Sequence, residues 1–416
     1  MQKRSFFFLA VIGCFFTVPG ATWADNLCVD PGGSGPGIYT SLQDALDAAE
    51  INGFDDTVMV VQGTYNGNFI YGSSSGKNIT LEGGYTTGCS DRQLDPVNTV
   101  FDGGGTGTVL YVDTLAGGHI IIDGFTVRNG ITTGPGGGIY ARSSSPTAAG
   151  NVTLSNSIIT ASTSAGNGGG VHAISEGSVT AGTVTLSNNI VTDNSTTSQY
   201  SGGGGVYARS YSQSGTAADV ILVNNFVANN TTAADAVGGG FFASSYSISG
   251  TPGTLTLTNN TIINNTALTA GGGVNIYAYS SVLPGGIVNC YNNIIRGNTS
   301  PTGADIMLSG GGEKYGYNNN YSTLAGTWNG SANNIDADPL FVNPGAGDYH
   351  LQLTSPSIDA GYNAAPQLPA ADFEGDPRVL DGDNNGTATV DMGADEAVNP
   401  ASSFSWTMFL PAITNK

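Results

Sequence analysis

Short segments in which apolar and polar residues alternate recur through the middle of the chain, and each follows a block of glycines. The triple-glycine blocks end at Gly138, Gly170, Gly205, Gly240 and Gly273, which are 32, 35, 35 and 33 residues apart. Alternation over a few residues, with many β-branched side chains, predicts β-strands rather than helices. Since one such unit cannot bury its apolar face alone, a repeat of this length predicts units stacked on one another.

Each repeat contains three predicted strands. In one repeat they are Val171–Ile174 after the glycines, then Val184–Asn188, then Ile190–Thr192, and a weaker copy occupies residues 103–125. Stacked rungs lie about 4.8 Å apart, which buries continuous columns of Val, Ile and Leu and lets asparagine amides bond along the stack. The second strands are aligned on Val152, Val184, Ile221, Leu255 and Ile287, with the asparagines Asn156, Asn188, Asn225 and Asn259 at their ends.

One helix is predicted near the N-terminus, over Thr40–Glu50, just before the strand Thr57–Val61. Thr40 or Ser41 supplies an N-cap, and one face is apolar. An open terminal rung would expose apolar side chains and unpaired backbone, so we expect this helix to cover the first rung. The apolar face consists of Leu42, Ala45, Leu46 and Ala49.

Residues 1–24 have the pattern of a signal peptide. Lys3 and Arg4 precede the apolar stretch Phe6–Val18, and an Ala-x-Ala cleavage site follows it. A lipoprotein box ending at Cys14 is the alternative, although it would cut the apolar stretch in half. No later segment is long and apolar enough to span a bilayer, so we expect no transmembrane helix in the mature chain. We expect that chain to be extracellular or attached to the cell surface.

Three cysteines remain after cleavage: Cys28, Cys89 and Cys290. Export permits disulfides, and we expect a bridge between Cys28 and Cys89, which both lie in the non-repetitive N-terminal part. Two unpaired thiols are the alternative. Cys290 alternates with Val288 and is expected to be a buried apolar residue. No Cys or His recurs at ligand spacing, which argues against a metal site formed by these residues.

The amino-acid composition of the chain limits the kinds of partner that the protein can bind. The chain of 416 residues has 63 glycines, 10% charged residues and a formal charge of −20, which becomes −22 once the two signal cations are removed. So few cations leave no basic patch for nucleic acid or an anionic membrane. Gly, Asn, Ser and Thr disfavour helical bundles, whereas 39% apolar residues suffice for a core and argue against disorder.

Two parts of the chain resemble known proteins. Tyr39 to Ala49, Val58–Val61 and Gly63–Tyr65 resemble the start of secreted right-handed parallel β-helix proteins. The resemblance implies a pectin-lyase-like fold, export and surface association, in a family whose members are mostly of undefined activity. The segments that resemble bacterial choice-of-anchor Q β-helix proteins are Ile335–Phe341, Tyr349–Leu351, Ser355–Gly361, Asp376–Arg378 and Asp391–Glu396.

Repeat and resemblance together predict an all-β fold: a single-stranded right-handed parallel β-helix, three strands per rung, with a short N-terminal capping helix. The tail contains Trp406–Ile413 and is expected to dock on the last rung or to act as an attachment tag. The predicted parts are a signal peptide (1–24), an N-terminal cap with first rungs (25–100), β-helix repeats (101–325), a C-terminal choice-of-anchor-Q-like capping module (326–396), and a linker with tail (397–416).

Outward positions of the glycine-block strands supply a candidate ligand site. Val171 and Ala173 point inward, so His172 points outward. An exposed aromatic ladder beside arginine could stack on sugar rings and hold uronate or sulfate groups, so a polysaccharide or surface glycan is the expected partner. A solvated face, or one covered by loops, is the alternative. The candidate residues are Tyr140, His172, Tyr207, Phe242, Arg142 and Arg209.

We assign no catalytic residue. A lyase would need His172 or a tyrosine as base with the arginines stabilising an oxyanion, but these groups lie on different rungs. The scattered Asp193, Asp219 and Asp235 do not form the carboxylate pair that hydrolysis requires. We expect non-catalytic adhesion or glycan binding by a monomer. A polysaccharide lyase or glycoside hydrolase acting on acidic polysaccharide is the alternative, and a purely structural surface layer is a third.

An acidic loop near the C-terminus supplies a candidate calcium site. The segment Asp381–Gly386 has oxygen ligands at positions 1, 3 and 5 and glycine at position 6, like the opening of a calcium loop. Position 12 is Met392, which cannot bind calcium, although Asp391 could substitute. An acidic turn without an ion is the alternative. The candidate ligands are Asp381, Asp383, Asn385 and Asp391.

Overall fold

The structure, a computed structural model, describes residues 25–398 except positions 234 and 283. The predicted signal peptide and the C-terminal tail from residue 399 lie outside the described residues. Three long parallel sheets run along the molecule, and a fourth, small sheet has three strands. Each rung contributes one strand to each long sheet in turn, which confirms the predicted right-handed parallel β-helix.

Sheet 1 contains the strands that follow the glycine blocks. In chain order they are Phe69–Ser73, Leu110–Thr114, Ile139–Ser145, Val171–Gly177, Val206–Ser212, Phe241–Ser247, Val274–Ser280, Ile306–Ser309 and Leu324–Ala325. Sheet 2 consists of Asp25–Val29, Ile38–Tyr39, Asp56–Val61, Ile79–Tyr85, Ile120–Asp123, Val152–Ser155, Val184–Ser187, Val220–Val223, Leu255–Thr258, Val288–Tyr291, Lys314–Tyr317 and Gly330–Ala332.

Sheet 3 completes each rung with Gly63–Asn66, Thr99–Asp102, Thr126–Arg128, Ile158–Thr160, Ile190–Thr192, Phe226–Ala228, Thr261–Ile263, Ile294–Arg296 and Asn320–Tyr321. The small sheet is formed by Ile131–Thr132, Thr163–Ser164 and Ser195–Thr196. Phe341–Asn343 and Asp348–Leu351 form an antiparallel pair, and short 3₁₀ helices span Thr87–Cys89, Pro96–Asn98 and Pro344–Ala346.

Inward side chains of equivalent strands stack in register and form one continuous core. In sheet 2, Val152 pairs with Val184, Val184 with Val220, and Leu255 with Val288. The alignment of Ile221 with Val184 and of Ile287 with Leu255 is therefore wrong by one residue. A one-residue shift turns a side chain to the other face of the sheet, and Ile287 is accordingly 42% exposed.

Two inner columns of asparagines line the turns on either side of sheet 3. Each Nδ2 donates to the Oδ1 of the asparagine on the next rung at 2.9–3.1 Å, which confirms the expected amide stacking. The predicted Asn156, Asn188 and Asn259 belong to an outer column with positive φ, whereas Asn225 belongs to an inner one. The inner columns are Asn189, Asn225, Asn260, Asn293, Asn319, Asn334 and Asn194, Asn230, Asn265, Asn298.

The glycine blocks are required because neighbouring rungs approach closely at the turn into sheet 1. Gly168 has φ +70°, a conformation that favours glycine. A Cβ on the next residue, Gly169, would lie 2.2 Å from the carbonyl oxygen of Gly204 on the following rung. Side chains larger than hydrogen would therefore separate the rungs.

The N-terminal end is closed by the helix Leu42–Asn52. The Ser41 hydroxyl accepts a hydrogen bond from the Asp44 backbone N–H at 3.4 Å, and Gly53 ends the helix in the left-handed conformation. All four residues of the predicted apolar face are buried in the core. Cys28 and Cys89 are joined by a disulfide, whereas Cys290 is a free and fully buried thiol. Within the described part of the chain, no helix has the length and hydrophobicity needed to cross a bilayer.

The C-terminal module, residues 338–398, lies along the flank of the coil. Its Leu351, Ile358 and Met392 pack with outward side chains of sheet 3 such as Phe226 and Ile294. Its backbone also bonds to coil side chains: the amide of Asn259 donates to the carbonyl oxygens of Asp391 and Gly393. This flank position differs from the end cap that the sequence predicted, because the apolar partners of the module are on the side of the coil.

Arg378 holds the module together from a buried position. Its guanidinium donates to Glu396 Oε2 at 3.3 Å and to the carbonyl oxygens of Gly393, Ala394 and Asp395 at 2.8–3.1 Å. It also donates to the side chain of Asn224 on the coil. One cation thus links the last turns of the module to one another and to the coil.

Candidate functional site

A column of stacked rings lies on the outward face of sheet 1. Parallel pairing places Tyr140 beside His172, and His172 beside Tyr207, as the alternation predicted. Ring centroids of successive members are 4.5–5.1 Å apart and the planes are within 8° of parallel. The aromatic column comprises Tyr111, Tyr140, His172, Tyr207 and Phe242.

The middle of the aromatic column is buried and only its end members, Tyr111 and Phe242, are partly exposed, so the column is not the exposed ladder that was expected. Tyr140, His172 and Tyr207 are only 7–8% exposed. The backbone of the turns before the glycine blocks covers the rings: a Cβ on Gly202 would lie 3.0 Å from Phe242. The rings therefore pack beneath the turns, and their faces are not free to stack on a sugar.

His172 is neutral in this environment. Burial, together with the charges of Arg142 and Arg209, lowers the pKa of His172 to about 3, although a hydrogen bond with the Asn167 backbone acts in the opposite direction. Its Nδ1 is buried without a hydrogen-bond partner. Because the ring is stacked between two tyrosines and inaccessible, it is not placed to act as a general base on a bound polymer.

The next outward position along the strands contains the two candidate arginines, in different environments. Arg142 donates from Nη2 and Nε to both carboxylate oxygens of Asp113, at 2.7 and 3.1 Å. This bidentate pair raises the pKa of Arg142 above its usual value and neutralises most of its charge locally. Arg142 is thus already occupied by a carboxylate of the protein.

Arg209 has no such partner. Among the described residues it forms no ion pair, and its Nε is buried without a hydrogen-bond partner. Its guanidinium carbon lies 4.5 Å from the ring centre of Tyr211 and 5.2 Å from that of Tyr246. Nη1 is 3.3 Å from the Tyr207 hydroxyl, so the cation rests on aromatic groups alone.

Arg209 is part of a tyrosine cluster that the sequence analysis did not assign. Neighbouring rings of the cluster have centroids 5.5–6.1 Å apart, and all four side chains are partly exposed. Continuing the alternation two residues further along each strand would have found three of them, which share a third outward position with Glu176. The tyrosine cluster consists of Tyr211, Tyr246, Tyr277 and Tyr279.

A cleft of about 460 Å³ adjoins the tyrosine cluster. Arg142, Glu176 and Tyr211 line it, together with serines and the Gln213 side chain. Glu176 is the only carboxyl group among the lining residues, whereas a glycosidase needs two. The polar lining suits hydrogen bonding to hydroxyl groups, and the arrangement favours binding over acid–base chemistry.

The acidic loop has a different composition from the one predicted. Carboxylate oxygens of Asp359, Asp381 and Asp383 lie within 4.8 Å of one another. The Asn385 Oδ1, which was expected to be a calcium ligand, instead accepts a hydrogen bond from the Thr387 N–H at 2.8 Å within the turn. Asp391 is outside this group. Asp359 had no spacing signal that linked it to the loop.

Asp391 is buried in the module. Its two carboxylate oxygens accept the backbone N–H groups of Asp359 and Ala397, each at 2.7 Å. Burial, followed by the nearby Glu396 carboxylate, raises the pKa of Asp391 to about 8. Its position and bonds are those of a structural group rather than a calcium ligand.

No family model matches the chain, and no curated protein matches it. The resemblance to choice-of-anchor Q proteins therefore rests on the motifs quoted above. Since one fold can carry many functions, function has to be argued from the geometry of the sites.

Proposed function

We propose that the chain is an exported cell-surface or extracellular β-helix protein, related to choice-of-anchor Q proteins, that binds acidic glycans without modifying them. The binding face consists of Arg209, the tyrosine cluster and the adjoining cleft. Arg209 carries the proposal, because it is a cation without an ion-pair partner among the described residues and rests on partly exposed aromatic rings.

Electrostatics supports an anionic ligand at Arg209 in particular. A protein with a formal charge of −20 repels polyanions unless a local cation compensates. Arg142 is paired with Asp113, so Arg209 is the guanidinium of this face that remains available. Guanidinium groups bind carboxylate and sulfate groups in bidentate geometry, which uronates and sulfated sugars both supply.

The arrangement of the rings supports a linear polymer. Tyr211, Tyr246 and Tyr279 pair across successive strands of sheet 1, so they form a row along the coil axis. These rings stack on one another along the row, so they present their edges and hydroxyl groups, rather than their faces, to a bound polymer. A glycan lying along this row would contact one ring per rung.

The test is calorimetry of the mature protein with oligogalacturonate and a sulfated oligosaccharide. Arg209→Gln should weaken binding of the preferred acidic oligosaccharide at least tenfold, and Tyr246→Ala should weaken binding of acidic and neutral sugars alike. Arg128→Gln is the matched control, because Arg128 is paired with Asp102 on sheet 3, and it should bind like the wild type. Unchanged binding in Arg209→Gln, or no binding by the wild type, would contradict the proposal.

The same samples separate binding from catalysis. A lyase would release unsaturated products that absorb in the ultraviolet, and a hydrolase would release new reducing ends. Absence of binding to every glycan tested would instead favour a purely structural surface layer. We expect retention of the intact oligosaccharide, because the buried His172 and the single carboxyl group of the cleft provide no acid–base pair.

A further inference from the structure

A second cavity lies where the C-terminal module meets the flank of the coil. Its volume is about 550 Å³. The coil contributes Phe226 and Asp193 to the lining, and the module contributes Tyr349 and Phe373. Ligand sites are concentrated in such clefts between packed units, where an apolar wall is combined with a few converging polar groups.

The converging polar groups are His350, Glu374 and Asp395. One ligand atom from each lies within 4.8 Å of the other two, and His350 Nε2 is 2.9 Å from Glu374 Oε2. Two ligands of a tetrahedral zinc, each bound at about 2.1 Å, are separated by about 3.4 Å. A zinc ion would replace the proton of the His350–Glu374 hydrogen bond, which is released to solvent, and would move these two ligand atoms about 0.5 Å apart.

The histidine is already oriented as a metal ligand. Its Nδ1 is 2.6 Å from Asp348 Oδ1, so Nε2 faces the other two groups. Histidines that bind metal in proteins typically donate the other ring N–H to a carboxylate, which selects the tautomer and the ring orientation. Asp395, which is 7% exposed, accepts the Leu351 N–H at 2.9 Å through Oδ2. Both groups are thus held by the same strand, Asp348–Leu351.

We propose that His350, Glu374 and Asp395 bind a divalent transition metal of the zinc class, with Asp348 as the positioning carboxylate. One imidazole nitrogen with carboxylate oxygens suits zinc, whereas calcium takes oxygen ligands only. Three protein ligands leave the fourth coordination position of a tetrahedral ion open. This position faces the cavity, one wall of which is aromatic. This site is separate from the glycan-binding face and does not depend on it.

The experiment is a zinc titration of the metal-free mature protein, with a competing chelator to measure the affinity. We expect one zinc per chain, not displaced by excess calcium. His350→Ala and Glu374→Gln should each lower the affinity at least 100-fold. Asp348→Asn should lower it about 10- to 100-fold, as for other positioning carboxylates. His119→Gln, which changes an exposed histidine on the coil, should bind zinc like the wild type.

Two further measurements distinguish a variant that does not bind zinc from a variant that does not fold. Circular dichroism of each variant without metal identifies any variant that does not fold. If a glutamate or aspartate variant fails to fold, the visible spectrum of Co²⁺ bound to the wild type reports directly on tetrahedral coordination, and its loss in folded His350→Ala assigns the histidine. Zinc binding that survives in folded His350→Ala, or no binding tighter than millimolar in the wild type, would overturn the proposal and leave these side chains as an ion-pair network.

Discussion

The coil and the C-terminal module both bury polar side chains, but they satisfy them in opposite ways. In the coil, the same asparagine recurs on rung after rung, and each one bonds to its equivalents above and below. In the module, single residues such as Arg378, Asp391 and Asp372 each collect several hydrogen bonds from different parts of the segment.

The difference concerns redundancy. Loss of one coil asparagine leaves the neighbouring rungs with their own backbone and side-chain bonds, so the damage should stay local. Loss of a central module residue removes the partner of several groups at once. The coil should therefore tolerate substitution better than the module. The following four tests probe the two regions, from the largest expected effect on stability to the smallest.

Arg378→Met should have the largest effect. The substitution removes the cation beside the buried Glu396 carboxylate and the donor to several carbonyl oxygens, and breaking a buried ion pair costs about 3–5 kcal/mol. Hydrogen exchange should show the module opening while the coil stays protected. The control is Arg296→Gln, whose partner Asp336 is 65% exposed, and it should cost less than about 1 kcal/mol. Equal protection of the module in both variants would contradict this contrast.

Asn225→Ala should destabilise the coil by about 2–4 kcal/mol, because the Asn189 N–H and the Leu186 carbonyl lose buried partners worth about 1–3 kcal/mol each. Asn225→Ser should cost less, since serines already occupy the first position of both inner columns, at Ser157 and Ser162. Urea unfolding measures both values. A cost for Asn225→Ala that exceeds the cost of Arg378→Met would argue against redundancy in the coil.

His172→Phe tests the buried aromatic column. A histidine with a lowered pKa binds fewer protons in the folded state, so its stability contribution is lost as pH falls from about 6.5 towards 3. The wild type should lose up to about 1.4 kcal/mol per pH unit in that window relative to the variant. Melting at pH 7.5 and pH 4.5 gives the comparison. The variant His119→Gln, which changes an exposed histidine, should lose as much stability between the two pH values as the wild type does. If His172→Phe also loses as much stability as the wild type, the conclusion that His172 is buried in its neutral form would be contradicted.

Calcium should have the smallest effect. If Asp359, Asp381 and Asp383 bind the ion, calcium at ten times its Kd adds about 1.4 kcal/mol to stability. The melting temperature should rise slightly with calcium, fall with chelator, and respond less in Asp383→Asn. Asp391→Asn is the matched comparison, because Asp391 lies outside the group, and its calcium response should persist. An unchanged melting temperature in the wild type would assign the loop as an acidic turn.

The sequence alone predicted the coil well, because the pattern of side chains that determines the coil repeats along the chain. Alternation and glycine spacing are enough to identify strands, inward columns and the capping helix. The register slips at Ile221 and Ile287 arose because each repeat allows two alignments: Asn224 and Asn225 are adjacent in the first repeat, and Ile287 and Val288 are adjacent apolar residues in the second. Only the inward positions of Val220 and Val288 decide between the two.

The sites were predicted less completely, because their decisive features are not periodic. The aromatic column was found by alternation, but its cover is backbone from glycine turns, which carries no side-chain signal. Arg209 was named, whereas the tyrosine rings on which its guanidinium rests were not. Asp359 joins Asp381 and Asp383 only through the folding of the module, and neither residue spacing nor composition encodes that approach.

The asparagine columns also give the coil a direction. Every amide of the second column donates towards the C-terminal end, and the last one, Asn298, donates to the carboxylate of Asp305 at 3.1 Å. The amide dipoles therefore add along the axis, as peptide dipoles do in a helix, and the anion lies at their positive end. Asp305 is thus the buried acceptor at which this column of aligned amide dipoles ends.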